Sequence, residues 1–435
     1  MKIAVVCSPT IATQAREARA RSYHVARVLA QRVPSAEVTL AHTEAGEFDG
    51  TPRGFEVRRW RARDFNAIVA RYDIVISSQF PSRLAWGNGR NRLVFDCHAP
   101  FLVDWRSLAD SVRAGARRDL IELKQRELFM TLTIADFTVC ANERLRDLCV
   151  GMLQSLGVIS TRAYDSDTSL RSLVDVAPFG IMPLSRSGPF PLRDVHPGVR
   201  PGDTVLAWTA PLTPPYDPEA VVRAVHRLAE TRPNLKVLFL PTRSWGGAGA
   251  PLGDDAAQNA AERVAGLARE LGLLDRRVFI PAGRSDTDIE ACLAESDIGI
   301  CVYRDCVDMR YAAGAHYLDL LAAGLPIVCT AGGPMSAMVE SQRLGLTVPE
   351  GGDDGLVAAI ERLADDADFR GECRSSAERL QASMSWENTL APLIEFCREG
   401  RPPAVSRRER LMPMTTQTIR CATARARYWA HFNRP

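Results

Sequence analysis

Short apolar, β-branched runs alternate with helical patterns along this 435-residue chain, and the alternation starts afresh at Thr204. Strands separated by helices must be joined by crossovers, so the pattern predicts parallel sheets in an α/β architecture. In the first half the strand candidates are Lys2–Cys7, Glu37–Ala41, Ile74–Ser77, Leu93–Asp96 and Phe137–Cys140, then Val174–Gly180 running into a turn. Helical patterns over Arg19–Arg32, Arg113–Phe129 and Glu143–Leu156 lie between them. Residues 183–202 are rich in Pro, Gly and Ser, lack periodicity and read as a linker.

The second half has its own first strand, Thr204–Trp208, and further candidates at Lys236–Leu240, Arg277–Ile280, Ile298–Tyr303 and Pro326–Cys329. Asp217-Pro-Glu-Ala is a strong helix start, with Asp as N-cap and Pro in the first turn. Val221, Val222, Val225 and Leu228 then supply an apolar face. Helical patterns at Asp255–Leu271 and Asp286–Glu295 complete the alternation. The expectation is an α/β chain of two Rossmann-like domains whose parallel sheets face an interdomain cleft, with ligands beyond the carboxyl ends of the strands. The predicted boundaries are 1–185, 203–385 and 386–435, the last a set of C-terminal helices and a basic tail packing back across the domains.

The composition is that of a globular protein, 46% hydrophobic and 24% charged, with no apolar run of transmembrane length. The first apolar run is too short for a signal peptide, so a cytoplasmic address is expected. Eleven cysteines sit mostly in apolar segments without a CxxC pair, which favours reduced, buried thiols over disulfides or a zinc site. Residues 401–435 carry eight Arg against one Glu, while the rest of the chain is net −5. Such a tail suits an acidic membrane surface or RNA, but a folded-back helix is the simpler reading. No nucleic-acid partner and no favoured membrane contact are therefore expected; oligomeric state is open. Only Lys2, Lys124 and Lys236 are lysines, so a bound phosphate must be gripped by Arg or by backbone.

One stretch carries chemistry. From Val307 to Thr330 the chain reads as a strand exit, a small-residue turn (Ala312, Ala313, Gly314), a helix and a Gly324-Leu-Pro326 stop before the next strand. Small residues let backbone N–H groups approach an anion at a helix N-terminus, where the dipole favours negative charge. Asp319, about a turn and a half on, is an acceptor suited to a ribose diol. From spacing alone, an ordinary βαβ crossover accounts for the same residues equally well. Arg243 follows the strand ending at Leu240, Arg310 precedes the Ala-Ala-Gly helix start, and both suit the same anion. His98 ends a strand and has the chemistry for proton transfer, with Asp96 placed to orient it or to cap the turn. Arg16, Arg19 and Arg21 cluster after the first strand, where positive charge would attract an acidic group. Trp208 and Tyr216 flank a proline-rich loop.

The ordered series Arg277-Val-Phe-Ile-Pro-Ala-Gly, Ala294-Glu-Ser-Asp-Ile-Gly-Ile, Leu318-Asp-Leu-Leu-Ala-Ala-Gly-Leu-Pro-Ile-Val and Leu344-Gly-Leu-Thr-Val-Pro resembles the GT-B glycosyltransferases of group 1, the family-4-like type. Ile134-Ala-Asp-Phe-Thr-Val-Cys-Ala-Asn-Glu-Arg and Val176-Ala-Pro-Phe-Gly extend the likeness into the first half. The resemblance implies a C-terminal domain that binds a nucleoside-diphosphate sugar, an N-terminal domain for the acceptor, and metal-free transfer with retention. It implies donor binding by Arg243, Arg310, Ala313, Gly314, Asp319 and the backbone beyond Ile280, acceptor binding by Arg16, Arg19 and Arg21, and a catalytic part for His98. The departures matter. Tyr311 stands where many relatives have the first of two acids, and Thr209–Asp217 lacks their Arg, Lys and glycine. Thr10–Ala20, after the first strand, has no glycine either.

High Arg content and unusual loops are similar to antibiotic-pathway members of the family, among them lincosamide-pathway enzymes that join a GDP-linked octose to a thiol. That narrower likeness favours a GDP-sugar over a UDP-sugar and a small acceptor in secondary metabolism. Alternatives are a cell-envelope or polysaccharide glycosyltransferase and a non-catalytic partner protein that binds nucleotide sugar.

Overall fold

A computed structural model describes residues 1–6, 21–42, 54–60, 65, 70–78, 80, 91–98, 114–182, 184, 192–193, 198–212, 214–240, 254–281, 286–399 and 405–430. The described residues fall into two compact units, the first drawn from Met1–Phe179 and Trp386–Pro435, the second from Gly180–Gly246 and Gly253–Ser385.

The first unit is a seven-stranded parallel sheet in the order β3-β2-β1-β4-β5-β6-β7. Its strands are β1 (Lys2–Val6), β2 (Glu37–His42), β3 (Glu56–Arg59), β4 (Ile74–Ser77), β5 (Arg92–Cys97), β6 (Phe137–Cys140) and β7 (Val174–Val176). Ile3, Ala4, Val5 and Val6 are buried, as the continuous apolar run of a strand covered on both faces requires. β3 was not legible in the sequence. It is a largely exposed edge strand whose Glu56, Arg58 and Arg59 satisfy the edge with charge rather than with apolar residues. The helices are α1 (Arg21–Arg32), α2 (Ala114–Ile134), α3 (Glu143–Ser155) and the short α4 (Thr161–Ser166). Asn142 caps α3 by accepting from Leu145 N.

The second unit is a six-stranded parallel sheet ordered β10-β9-β8-β11-β12-β13. Its strands are β8 (Thr204–Trp208), β9 (Leu235–Phe239), β10 (Val278–Phe279), β11 (Ile298–Cys301), β12 (Ile327–Thr330) and β13 (Gly345–Val348). Helices α5 (Pro218–Arg227), α6 (Asp254–Glu270), α7 (Asp286–Ala294), α8 (Ala315–Ala322), α9 (Pro334–Ser341), α10 (Asp353–Asp365) and α11 (Ala367–Ser383) connect and follow them. α5 starts where the sequence places it: Asp217 accepts from Ala220 N at 3.1 Å, and Val221, Val222 and Val225 turn inward. Strand order reverses between β8 and β11, so the chain segments leaving these two strands diverge there. Sheets of this kind bind ligands at such a point.

The chain then returns to the first unit through α12 (Trp386–Thr389), α13 (Ala391–Glu399) and α14 (Arg407–Ala430). Trp386 stacks on His24 of α1 at 4.5 Å, and Phe396 stacks on Phe137 at 4.7 Å. α14 lies along α2, burying Met414, Gln417, Cys421 and Ala424 at helical spacing. Arg425 and Arg427 pair with Glu127 and Glu122 of α2. Gln417 is the polar member of that stripe, and Cys421 and Ala424 are small, so the helices meet closely there. Among the described residues no helix is long and apolar enough to cross a membrane.

Candidate functional site

The carboxyl end of β11 leads through Val302, Tyr303 and Arg304 into the turn before α8. Gly314 is the N-cap of α8 at φ 63°, ψ 40°, the left-handed region that glycine enters without steric cost. A Cβ there would lie 2.3 Å from Met335 Cγ, so space as well as dihedral demands glycine. No side chain caps this helix end. The first N–H groups of an α-helix lack partners within the helix, and they and the dipole together make an anion seat. Ala313 and Ala315 beside Gly314 are half-buried and add little bulk.

Beneath the turn lies a buried polar frame. Thr209 Oγ1 donates to the His316 carbonyl at 2.8 Å. The His316 ring has Nε2 3.2 Å from Cys301 Sγ and Nδ1 3.5 Å from Tyr216 Oη, with Tyr216 packed edge-on at 5.0 Å. Burial lowers the His316 pKa to about 3, so the ring is neutral at physiological pH. Residues 214–217 are fastened to the exit of β11. Tyr216 and Tyr303 form an antiparallel bridge, Asp217 N donates to Val302 O at 3.0 Å, and Arg304 N donates to Pro215 O at 2.9 Å.

Tyr303 joins the neighbouring strand end. Its N–H donates to Thr330 Oγ1 at 2.9 Å, and its hydroxyl accepts from Gly333 N at 3.1 Å. Burial pushes its pKa up to about 12, so the hydroxyl keeps its proton. A side chain at Gly333 would come 2.8 Å from that hydroxyl. A cavity of about 140 Å³ opens beside Tyr303, with Asp217, Arg304 and Glu350 on its wall. Drug-sized ligand pockets run to about 300 Å³ and more, so this cavity is too small for a whole nucleotide.

The residues singled out from the sequence fall as follows. Gly314 and Ala313 form the turn at the α8 entrance. Asp319 lies half-buried in the second turn of the same helix. Ile280 follows β10 and packs against the core of the second unit. Arg310 is exposed and holds Asp305, with Nη2 2.8 Å from Oδ2. Arg243, Arg16 and Arg19 lie outside the described residues.

In the first unit His98 follows β5, with Nδ1 3.2 Å from the Asp96 carbonyl and 3.7 Å from its Oδ2. Arg21, expected at an open acceptor surface, is instead only 4% exposed. Its guanidinium donates to both Asp96 oxygens, to Ala177 O and to Pro178 O, and lies 4.9 Å from the Phe179 ring centre. The missed signal was Asp96 itself, because a carboxylate inside an apolar strand needs a buried partner.

A family model described as "Glycosyl transferases group 1" matches residues 250–366, which include β10 through β13. A D-inositol 3-phosphate glycosyltransferase of Mycobacterium marinum is 29% identical over 269 residues, covering 56% of this chain and 53% of the relative. One from Salinispora arenicola is 26% identical over 243 residues, covering 54% and 51%. The chain thus spans about half the length of these relatives. Among solved structures, a sucrose-phosphate synthase from Thermosynechococcus elongatus superposes with a TM-score of 0.60 at 14% identity, covering 92% of this chain and 98% of that one. Anabaena HepE in complex with UDP and glucose gives 0.63 at 12% identity, covering 91% and 99%. These likenesses establish the fold, two parallel-sheet α/β domains of the GT-B type.

Proposed function

We propose that this chain is a glycosyltransferase that takes its sugar from a nucleoside-diphosphate donor. The observation that carries the reading is the uncapped, glycine-initiated N-terminus of α8, set at the strand-order reversal inside the segment matched by the group 1 family model. Backbone N–H groups there would hold the diphosphate and stabilise its charge as it leaves, which is the electrostatic contribution transfer needs most. Asp319 takes the ribose hydroxyls. Arg310 takes part only by exchanging Asp305 for phosphate, and Arg243 is assigned to the same anion. The backbone beyond Ile280 takes the base.

GDP-linked sugars stand first as donors, with UDP-linked sugars the direct rival because the structural neighbour HepE is a complex with UDP and glucose. The acceptor is a small polar molecule. A thiol in secondary metabolism is the narrower reading, and the names of the sequence relatives add inositol phosphates. Arg16, Arg19 and His98 of the first unit are assigned to acceptor recognition and proton transfer, and the configuration at the anomeric carbon is retained. A cell-envelope acceptor is the alternative within the same chemistry.

The test is an assay of nucleoside diphosphate release from GDP-, UDP-, ADP- and dTDP-sugars with inositol phosphates and low-mass thiols as acceptors. Acceptor-dependent release with an α-glycoside product from an α-donor supports the reading. Donor binding without turnover across the panel would replace it with a non-catalytic nucleotide-sugar-binding role.

A further inference from the structure

We propose that Cys97, Cys140 and Cys149 form a three-sulfur site for one soft cation of the cuprous type. The sequence gives no hint of it, because the three lie 43 and 9 residues apart with no CxxC spacing. The sheet assembles them. Cys97 ends β5 and Cys140 ends β6, and the two are direct partners in the parallel register, so their side chains leave the same face side by side. Cys149 of α3 meets that face with its Sγ 3.6 Å from Cys97 Sγ. All three Sγ atoms lie within 4.8 Å of one another. With metal–sulfur bonds of about 2.3 Å, an ion centred among three sulfurs sets them about 4.0 Å apart. The present separations, from 3.6 Å to no more than 4.8 Å, bracket that spacing.

The choice of cation follows from the donor set. Thiolates are soft ligands and favour cuprous ion or zinc over hard cations. Structural zinc is almost always four-coordinate, and no fourth ligand joins the three among the described residues. Charge points the same way. The site is sealed from solvent, and Asp96 lies one residue before Cys97, so a monovalent ion with few ionised sulfurs leaves the least buried charge. Burial pushes the Cys97 and Cys140 thiols up, so few of the sulfurs ionise without a cation among them. Each thiol that ionises on binding releases one proton, and no oxidation state changes. The bound ion would tie β5, β6 and α3 together one residue before His98.

The experiment loads the reduced full-length chain anaerobically with cuprous ion against a chromophoric cuprous chelator and counts neighbours by copper X-ray absorption. The expected result is one copper per chain with three sulfur neighbours. Affinity should fall at least 100-fold in both Cys140→Ser and Cys149→Ala and stay unchanged in Cys373→Ala, a buried thiol of the second unit. Copper held by fewer than three sulfurs, copper lost to the chelator by the wild-type chain, or equal retention by the variants overturns the proposal. The wild-type sulfur count decides even if a variant fails to fold.

Discussion

The Arg21 guanidinium holds both oxygens of Asp96, with Nε at 2.8 and 2.9 Å, in a pair that is almost wholly buried. It fastens the first residue of α1 to β5 and to the backbone leaving β7. Removing one partner strands the other charge in a low-dielectric interior. Arg21→Met should therefore cost about 3–5 kcal/mol of stability, and Arg21→Met with Asp96→Leu should recover much of it. Urea unfolding of the single and double variants checks this.

Asp96 also predicts an acid response. Burial alone would raise its pKa, but Arg21 and then His98 overcome that and hold it at about 2. A depressed carboxylate contributes stability that is full above its unfolded value near 4 and is lost as pH falls through about 2. Asp96→Asn should flatten the stability curve between those limits, a difference on the order of 2 kcal/mol in chemical unfolding.

His316 acts in the same direction over a higher range. Its folded pKa is about 3 against 6.5 when exposed, so protons bind the unfolded chain first. The stability it permits is complete above pH 6.5 and drains as pH falls from there toward 3. His316→Asn should be less stable at pH 7.5 by about 1–3 kcal/mol, yet lose less on acidification to pH 5. Comparing urea midpoints at the two pH values tests it.

Gly314 sets the entrance of α8. Gly314→Ala places a methyl against Met335 and forces a left-handed alanine, a strain of about 1–2 kcal/mol. Nucleotide affinity should drop at least tenfold while the circular dichroism spectrum stays native. Met335→Ala added to it relieves the clash but not the dihedral, so affinity should return only in part.

Most of the fold was legible because its signals are local. β4, β6 and β8 match their apolar runs, and α5 starts at its Asp-Pro pair. β3 was missed because an edge strand is specified by its neighbour β2 rather than by its own hydrophobicity. Gly314 stood out through spacing and chemistry. The frame beneath it did not, since Thr209, Tyr216, Cys301 and His316 meet only once the strands align. Arg21 shows the same limit: its sequence neighbours suggested an open positive cluster, and a partner 75 residues away decided otherwise.

The central claim is that the α8 entrance seats a nucleoside diphosphate, and thermal denaturation with GDP, UDP, ADP and dTDP tests it most directly. One nucleotide at 100 times its dissociation constant should stabilise the chain by about 2.7 kcal/mol. Asp319→Ala should weaken that effect for the diphosphate and its nucleoside alike, and Gly314→Ala for the diphosphate alone. No stabilisation by any of the four, or equal stabilisation of the wild type and both variants, would contradict the account.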